Sequence, residues 1–96
     1  MANNTTVNPL FFDAPGTVSG ARRVIAILWQ SHGSADNDIA ADDDFEVQNG
    51  NGDVIVCKRA ETTADCLELV FGYPGFYVDG LNVATLDGGV CLIYTR

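Results

Sequence analysis

An all-β fold, a small antiparallel sandwich or barrel of about six to eight short strands, is what this sequence predicts. Three observations carry the prediction. Apolar and β-branched residues fall in runs of strand length rather than at helical spacing, Gly, Asn, Asp and Pro punctuate the chain roughly every ten residues, and one segment carries two adjacent Asn-Gly pairs between alternating runs. With 96 residues and 47% apolar composition, the chain suffices for one core and one domain.

Taken in order, residues 1–8 are rich in Asn and Thr and read as a polar N-terminal arm, with residues 9–96 as a single β-sandwich domain. A first strand over residues 5–12 ends at Asp13-Ala14-Pro15-Gly16, where Pro and Gly supply a turn. Residues 21–30 hold Val24-Ile25-Ala26-Ile27-Leu28-Trp29, a continuous apolar run with the length of a central strand covered on both faces. Residues 31–44 turn polar and acidic and form the longest irregular connection, expected to be the most mobile part.

Phe45-Glu46-Val47-Gln48, then Asn49-Gly50-Asn51-Gly52-Asp53, then Val54-Ile55-Val56-Cys57 is the strongest hairpin signal. Ala, Glu and Leu cluster in residues 60–69, but Thr62, Thr63 and the following alternation favour a loop and then a strand over residues 66–71. Gly72-Tyr73-Pro74-Gly75 reads as a turn into Phe76-Tyr77-Val78. Asp79-Gly80 reads as another, before a strand over residues 81–86, and Asp87-Gly88-Gly89 opens the last strand, residues 90–94.

Composition excludes several function classes. Thirteen acidic against five basic side chains give a formal charge of −8, which repels phosphate backbones and anionic lipid, so no nucleic acid and no membrane partner is expected. Arg22, Arg23, Lys58, Arg59 and Arg96 read as scattered, salt-bridging surface residues. No apolar run approaches the roughly 20 residues of a spanning helix, and the start is polar throughout, so a soluble chain without a secretory leader is expected.

Cys57, Cys66 and Cys91 are odd in number, lack C-x-x-C spacing and sit in apolar stretches, which reads as reduced core thiols. The only histidine, His32, is remote from them in sequence, so no zinc site is expected.

No motif names a catalytic chemistry. Ser31-His32 lacks a G-x-S-x-G elbow, and Gly50-Asn51-Gly52 joins two strands instead of opening a helix that could hold a phosphate. The carboxylates of residues 36–44 miss the EF-hand template, with Ala41 and Val47 where Gly and Glu belong; a solvated acidic loop is the reading, with a non-EF calcium loop as its rival. A non-enzymatic protein with no cofactor and no metal is therefore expected. The candidate protein-contact residues are Tyr73, Phe76 and Tyr77, aromatics beside a Pro-Gly turn, set against ordinary core and turn packing.

The order of parts, with Phe45-Glu46-Val47-Gln48-Asn49-Gly50-Asn51-Gly52-Asp53-Val54-Ile55 and Val78-Asp79-Gly80-Leu81-Asn82-Val83-Ala84-Thr85-Leu86-Asp87-Gly88-Gly89 leading to Leu92-Ile93-Tyr94, resembles small β-sandwich virion proteins of tailed bacteriophages, such as head decoration (cement) proteins. The resemblance implies copies bound to the major capsid protein, or another virion protein, on the outer head surface, bridging shell subunits after assembly in the bacterial cytoplasm. It also implies a homo-oligomer, a dimer or trimer. The alternatives are another phage part, such as a head-to-tail connector, tail or fibre component, and a non-viral carbohydrate- or protein-binding module.

Overall fold

The computed structural model describes residues 3–31 and 38–96. His32, Asp36 and Asn37 of the acidic connection, and Met1 and Ala2 of the expected arm, lie outside the described residues. The described chain is all-β, with seven antiparallel strands and no helix: β1 (Leu10–Phe12), β2 (Gly16–Gln30), β3 (Asp44–Asn49), β4 (Val54–Arg59), β5 (Leu67–Val70), β6 (Phe76–Leu86) and β7 (Val90–Thr95). They hydrogen-bond in the order β1-β7-β2-β6-β3-β4, with β5 attached to β2.

β2 is the central strand that the apolar run implied, because it is where the two halves of the sheet meet. Its second half pairs with β7 on one side, from Val24 opposite Thr95 to Gln30 opposite Val90, and with β5 on the other. Its first half pairs with β6. β6 in turn pairs with β3, so the sheet folds into two facing layers that share β2. Trp29 of β2 stacks on Phe45 of β3 at 5.0 Å between ring centroids, which brings the layers into contact. Leu10, Phe12, Ile27, Val47, Leu81, Val83 and Ile93 fill the space around that pair, and the described residues include no buried polar or charged side chain.

One expected turn is a bend within a long strand, and another strand starts earlier than expected. Residues 76–86 form one strand, not two separated at Asp79-Gly80, and β2 begins at Gly16 rather than at residue 21. Val18 lies opposite Leu81 and Ala21 opposite Asp79, so β2 carries an extra residue in a bulge. Gly20 (φ 102°) and Gly80 (φ 89°) adopt left-handed backbone there, which bends both strands together at the layer corner.

The predicted hairpin forms as β3 and β4, joined by residues 50–53. Asn49 organises it. Its Oδ1 accepts from the backbone N–H of Asn51 (2.9 Å) and of Asp53 (3.0 Å). The strand expected over residues 66–71 forms over Leu67–Val70.

The N-terminal strand shortens to three residues, and the described part of the polar segment is stitched to the domain. Asn4 bridges Phe11, Asn3 Oδ1 accepts from Asp13 N (2.8 Å), and Asn8 exchanges hydrogen bonds with Thr95. The polar side chains that suggested a free arm are the groups that attach it.

The acidic connection also carries a core residue. Ile39 is fully buried, its N–H donating to Ser31 Oγ (3.0 Å) and its carbonyl accepting from Ala64 N (2.8 Å). A single Ile among aspartates has no periodicity to announce it.

Of the three thiols, only Cys91 is in the core; Cys57 and Cys66 are exposed. Cys57 and Cys66 fall on the solvent side of a strand and in a loop, which their apolar neighbours conceal. Desolvation pushes the Cys91 thiol well above its ordinary range, which removes the reactive thiolate. A thiol reagent is expected to titrate two cysteines in the native protein and three after unfolding in denaturant. Three fast-reacting thiols in the native state would contradict the burial of Cys91.

Candidate protein-contact face

Tyr73, Phe76 and Tyr77 lie in and just after the loop between β5 and β6 and are exposed, at 74%, 41% and 55%, with Phe76 and Tyr77, consecutive in β6, on opposite faces of the sheet. None of the three belongs to the buried core. Strand register explains the exposure. β5 and β6 run along the same side of β2, with Ala26 opposite Val70 and Val24 opposite Phe76, so residues 71–75 face the single β2 residue Ile25. The surplus chain is looped outward. Phe71 N and Gly72 N both donate to the Ile25 carbonyl (2.8 and 3.3 Å), which pins the base of the loop and leaves Tyr73 projecting from it.

Sequence reasoning missed the residues that join them. Phe71 stacks on Phe76 with ring centroids 5.3 Å apart. Arg23 lies directly opposite Tyr77, its guanidinium 5.7 Å from the ring centroid, and Arg96 sits 4.6 Å over the Tyr73 ring. Arg96 N donates to the Arg23 carbonyl (2.9 Å) and continues the β2–β7 ladder, so Arg96, Arg23 and Tyr77 stand side by side across three strands. Together with Ala21 and Arg22 they line an open groove of about 400 Å³.

The arginines depart from the scattered, salt-bridged residues expected. Among the described residues the ion pairs belong to the other two cations, Lys58 with Asp65 (3.4 Å) and Arg59 with Asp44 (2.8 Å). The Arg59 hydrogen bond holds the Asp44 carboxyl below the usual range, and backbone N–H groups of Glu61 and Cys66, with Lys58, do the same for Asp65. Arg22, Arg23 and Arg96 have no carboxylate partner among the described residues. Arg22 donates to the Ser19 carbonyl (3.3 Å), while its Nε is buried without a hydrogen-bond partner.

No family model, curated protein or solved structure matches this chain.

A larger trough of about 640 Å³ runs between the β3–β4 hairpin tip and the β2–β6 bend, lined by Gln48, Asn49, Asn51, Asn82 and glycines. Its amides are largely used up internally. Asn49 serves the hairpin, Asn82 donates to Gln48 Oε1 (3.3 Å), and Gln48 donates to Glu46. The aromatic face is the stronger contact candidate, since Tyr73, Tyr77, Arg23 and Arg96 are exposed and none of them is in an ion pair among the described residues.

Among the described residues, no group of three or more His, Cys, Asp or Glu is placed to hold a metal ion. In the acidic connection Asp43 Oδ2 accepts from Ala40 N (2.8 Å) and Asp44 is engaged by Arg59. These carboxylates brace the loop. Ser31 Oγ accepts from Ile39 N.

Proposed function

We propose that this domain is a non-enzymatic structural protein that works by binding other protein surfaces, and that it is a virion decoration protein bridging major capsid protein subunits on the outer head surface. What supports protein binding is one observation: exposed aromatics around the β5–β6 loop, Tyr73 and Tyr77 against Arg96 and Arg23, with the Phe71–Phe76 stack beside that loop. Tyr and Arg dominate the energetics of protein interfaces, because each combines a large contact surface with a polar group that can be satisfied by the partner. The capsid and phage part of the reading rests on the sequence resemblance.

Mass spectrometry of purified virions of the encoding phage tests it. The protein is expected at hundreds of copies per particle, and electron microscopy should place it on the outer head. Its absence from virions removes the structural reading, and a few copies confined to the neck or tail would reassign it to a connector or tail part. A combined Tyr73→Ala, Phe76→Ala, Tyr77→Ala variant is expected to lose binding to undecorated heads by a hundredfold or more, on the order of 3 kcal/mol, with its melting temperature nearly unchanged. Undiminished binding would move the contact away from this face.

A further inference from the structure

The uncommitted arginines have a counterpart at the other end of the β2–β7 ladder. β2 and β7 run side by side from Val24 opposite Thr95 to Gln30 opposite Val90, and Arg23 and Arg96 lie just past the first end. The second end leads into residues 38–44 and the turn at Asp87-Gly88-Gly89. Asp38, Asp42 and Asp87 are exposed there, and Asp43 and Asp44 are half-buried. Arg59, the cation among these described residues, is raised above its usual range first by Asp44, with Asp42 and Asp87 adding to it, and Gly88, next to Asp87, packs against Asp43 and the Asp38 carbonyl, which sets the carboxylates around one turn. Six to seven strand residues separate the two poles, roughly 20 Å, in a molecule 33 Å long.

We propose that the arginine groove receives the acidic rim of a second copy of this chain, with Arg23 and Arg96 of one protomer paired to Asp38 and Asp42 of the next. The inference rests on reading this face as a protein-contact surface and names its occupant. Each guanidinium lies over a tyrosine ring, Arg23 at 5.7 Å and Arg96 at 4.6 Å, and neither has a carboxylate partner among the described residues, so their N–H groups are available to bind carboxylates. Asp42 sits at an exposed turn with left-handed backbone (φ 71°), which presents its side chain outward from the domain. A groove about 400 Å³ in volume accommodates such a turn tip. Nucleic acid is the weaker occupant, since its phosphates would meet the field of 13 acidic side chains with only these arginines uncommitted.

Identical copies at net charge −8 repel at long range while these poles attract, so salt dependence has no fixed sign. Charge exchange does. Sedimentation equilibrium of the full chain near millimolar concentration should give a mass above the 10.2 kDa monomer. Arg23→Glu with Arg96→Glu, and separately Asp38→Lys with Asp42→Lys, should each weaken association at least about tenfold. Mixing the two variants should restore it, a result that damaged folding cannot produce. Asp38→Asn with Asp42→Asn, where Asn tolerates the left-handed backbone, should weaken association without a loss of melting temperature.

A monomeric wild type, indifference to both charge reversals, or no recovery on mixing would overturn the contact. Tight binding of a polyglutamate peptide or single-stranded DNA by a protein that stays monomeric would also overturn it, in favour of another acidic partner. If the wild type is monomeric yet binds virions through Tyr73, Phe76 and Tyr77, the self-contact fails and the protein-binding reading stands. If the exchange succeeds while the aromatic variant decorates heads normally, the self-contact stands and the capsid-contact role of that face fails.

Discussion

Trp29→Ala is expected to destabilise the domain by about 3–5 kcal/mol, the cost of truncating a large aromatic side chain in a packed core. Trp29 is fully buried, lies flat on Phe45 and donates its indole N–H to the Gly88 carbonyl at 2.9 Å. The truncation removes three things: the contact between the two layers at their centre, the volume that fills it, and a side-chain donor on a carbonyl in the turn that closes onto β7. Domains of this size have about 5–15 kcal/mol in total, so the variant should be partly unfolded at moderate temperature. Trp29→Phe keeps the stacking but loses the hydrogen bond, and should cost about 1–2 kcal/mol. Urea unfolding followed by circular dichroism checks both. An alanine variant within 1 kcal/mol of wild type would mean that the layers do not depend on this pair.

The second large effect falls on a residue with no side chain. A Cβ added to Gly50 would sit 2.0 Å from the Asp79 carbonyl oxygen and 3.4 Å from Gly80 Cα, where the hairpin tip meets the bend in β6. Neither backbone can yield without disturbing the bulge at the layer corner. Gly50→Ala is therefore expected to cost roughly 3 kcal/mol, the upper end of overpacking penalties. Gly52 is the internal control. Its backbone is left-handed (φ 89°) but a Cβ there meets nothing within 4 Å, so Gly52→Ala should cost only about 1–2 kcal/mol of backbone strain. Equal losses at the two positions in chemical denaturation would show that the close approach at Gly50 relaxes freely.

Gly50 and Gly52 stand in the same double Asn-Gly motif, and sequence reasoning assigned both to a hairpin tip. That was correct as local chemistry. Which glycine is replaceable depends on Asp79, a residue in another strand. The candidate site divides in the same way. Tyr73, Phe76 and Tyr77 stand out in the sequence as candidates because aromatics beside a Pro-Gly turn are favoured contact anchors, whereas Arg23 and Arg96 read as isolated surface charges. Only the pairing of β7 with β2 sets them side by side.

What the sequence by itself determined was whatever depends on near neighbours. Alternating and continuous apolar runs, cut by Gly, Asn and Asp, determined an all-β chain, a central strand through Trp29 and a hairpin at Asn49–Asp53, because strand period and turn geometry are local properties. Tertiary structure alone decided that Asp79-Gly80 bends a strand instead of ending it, that Ile39 enters the core, that Cys57 and Cys66 face outward, and that three arginines share one groove. Each of those outcomes is set by the register between strands far apart in the chain, and a shift of one residue in that register would turn every side chain to the opposite face.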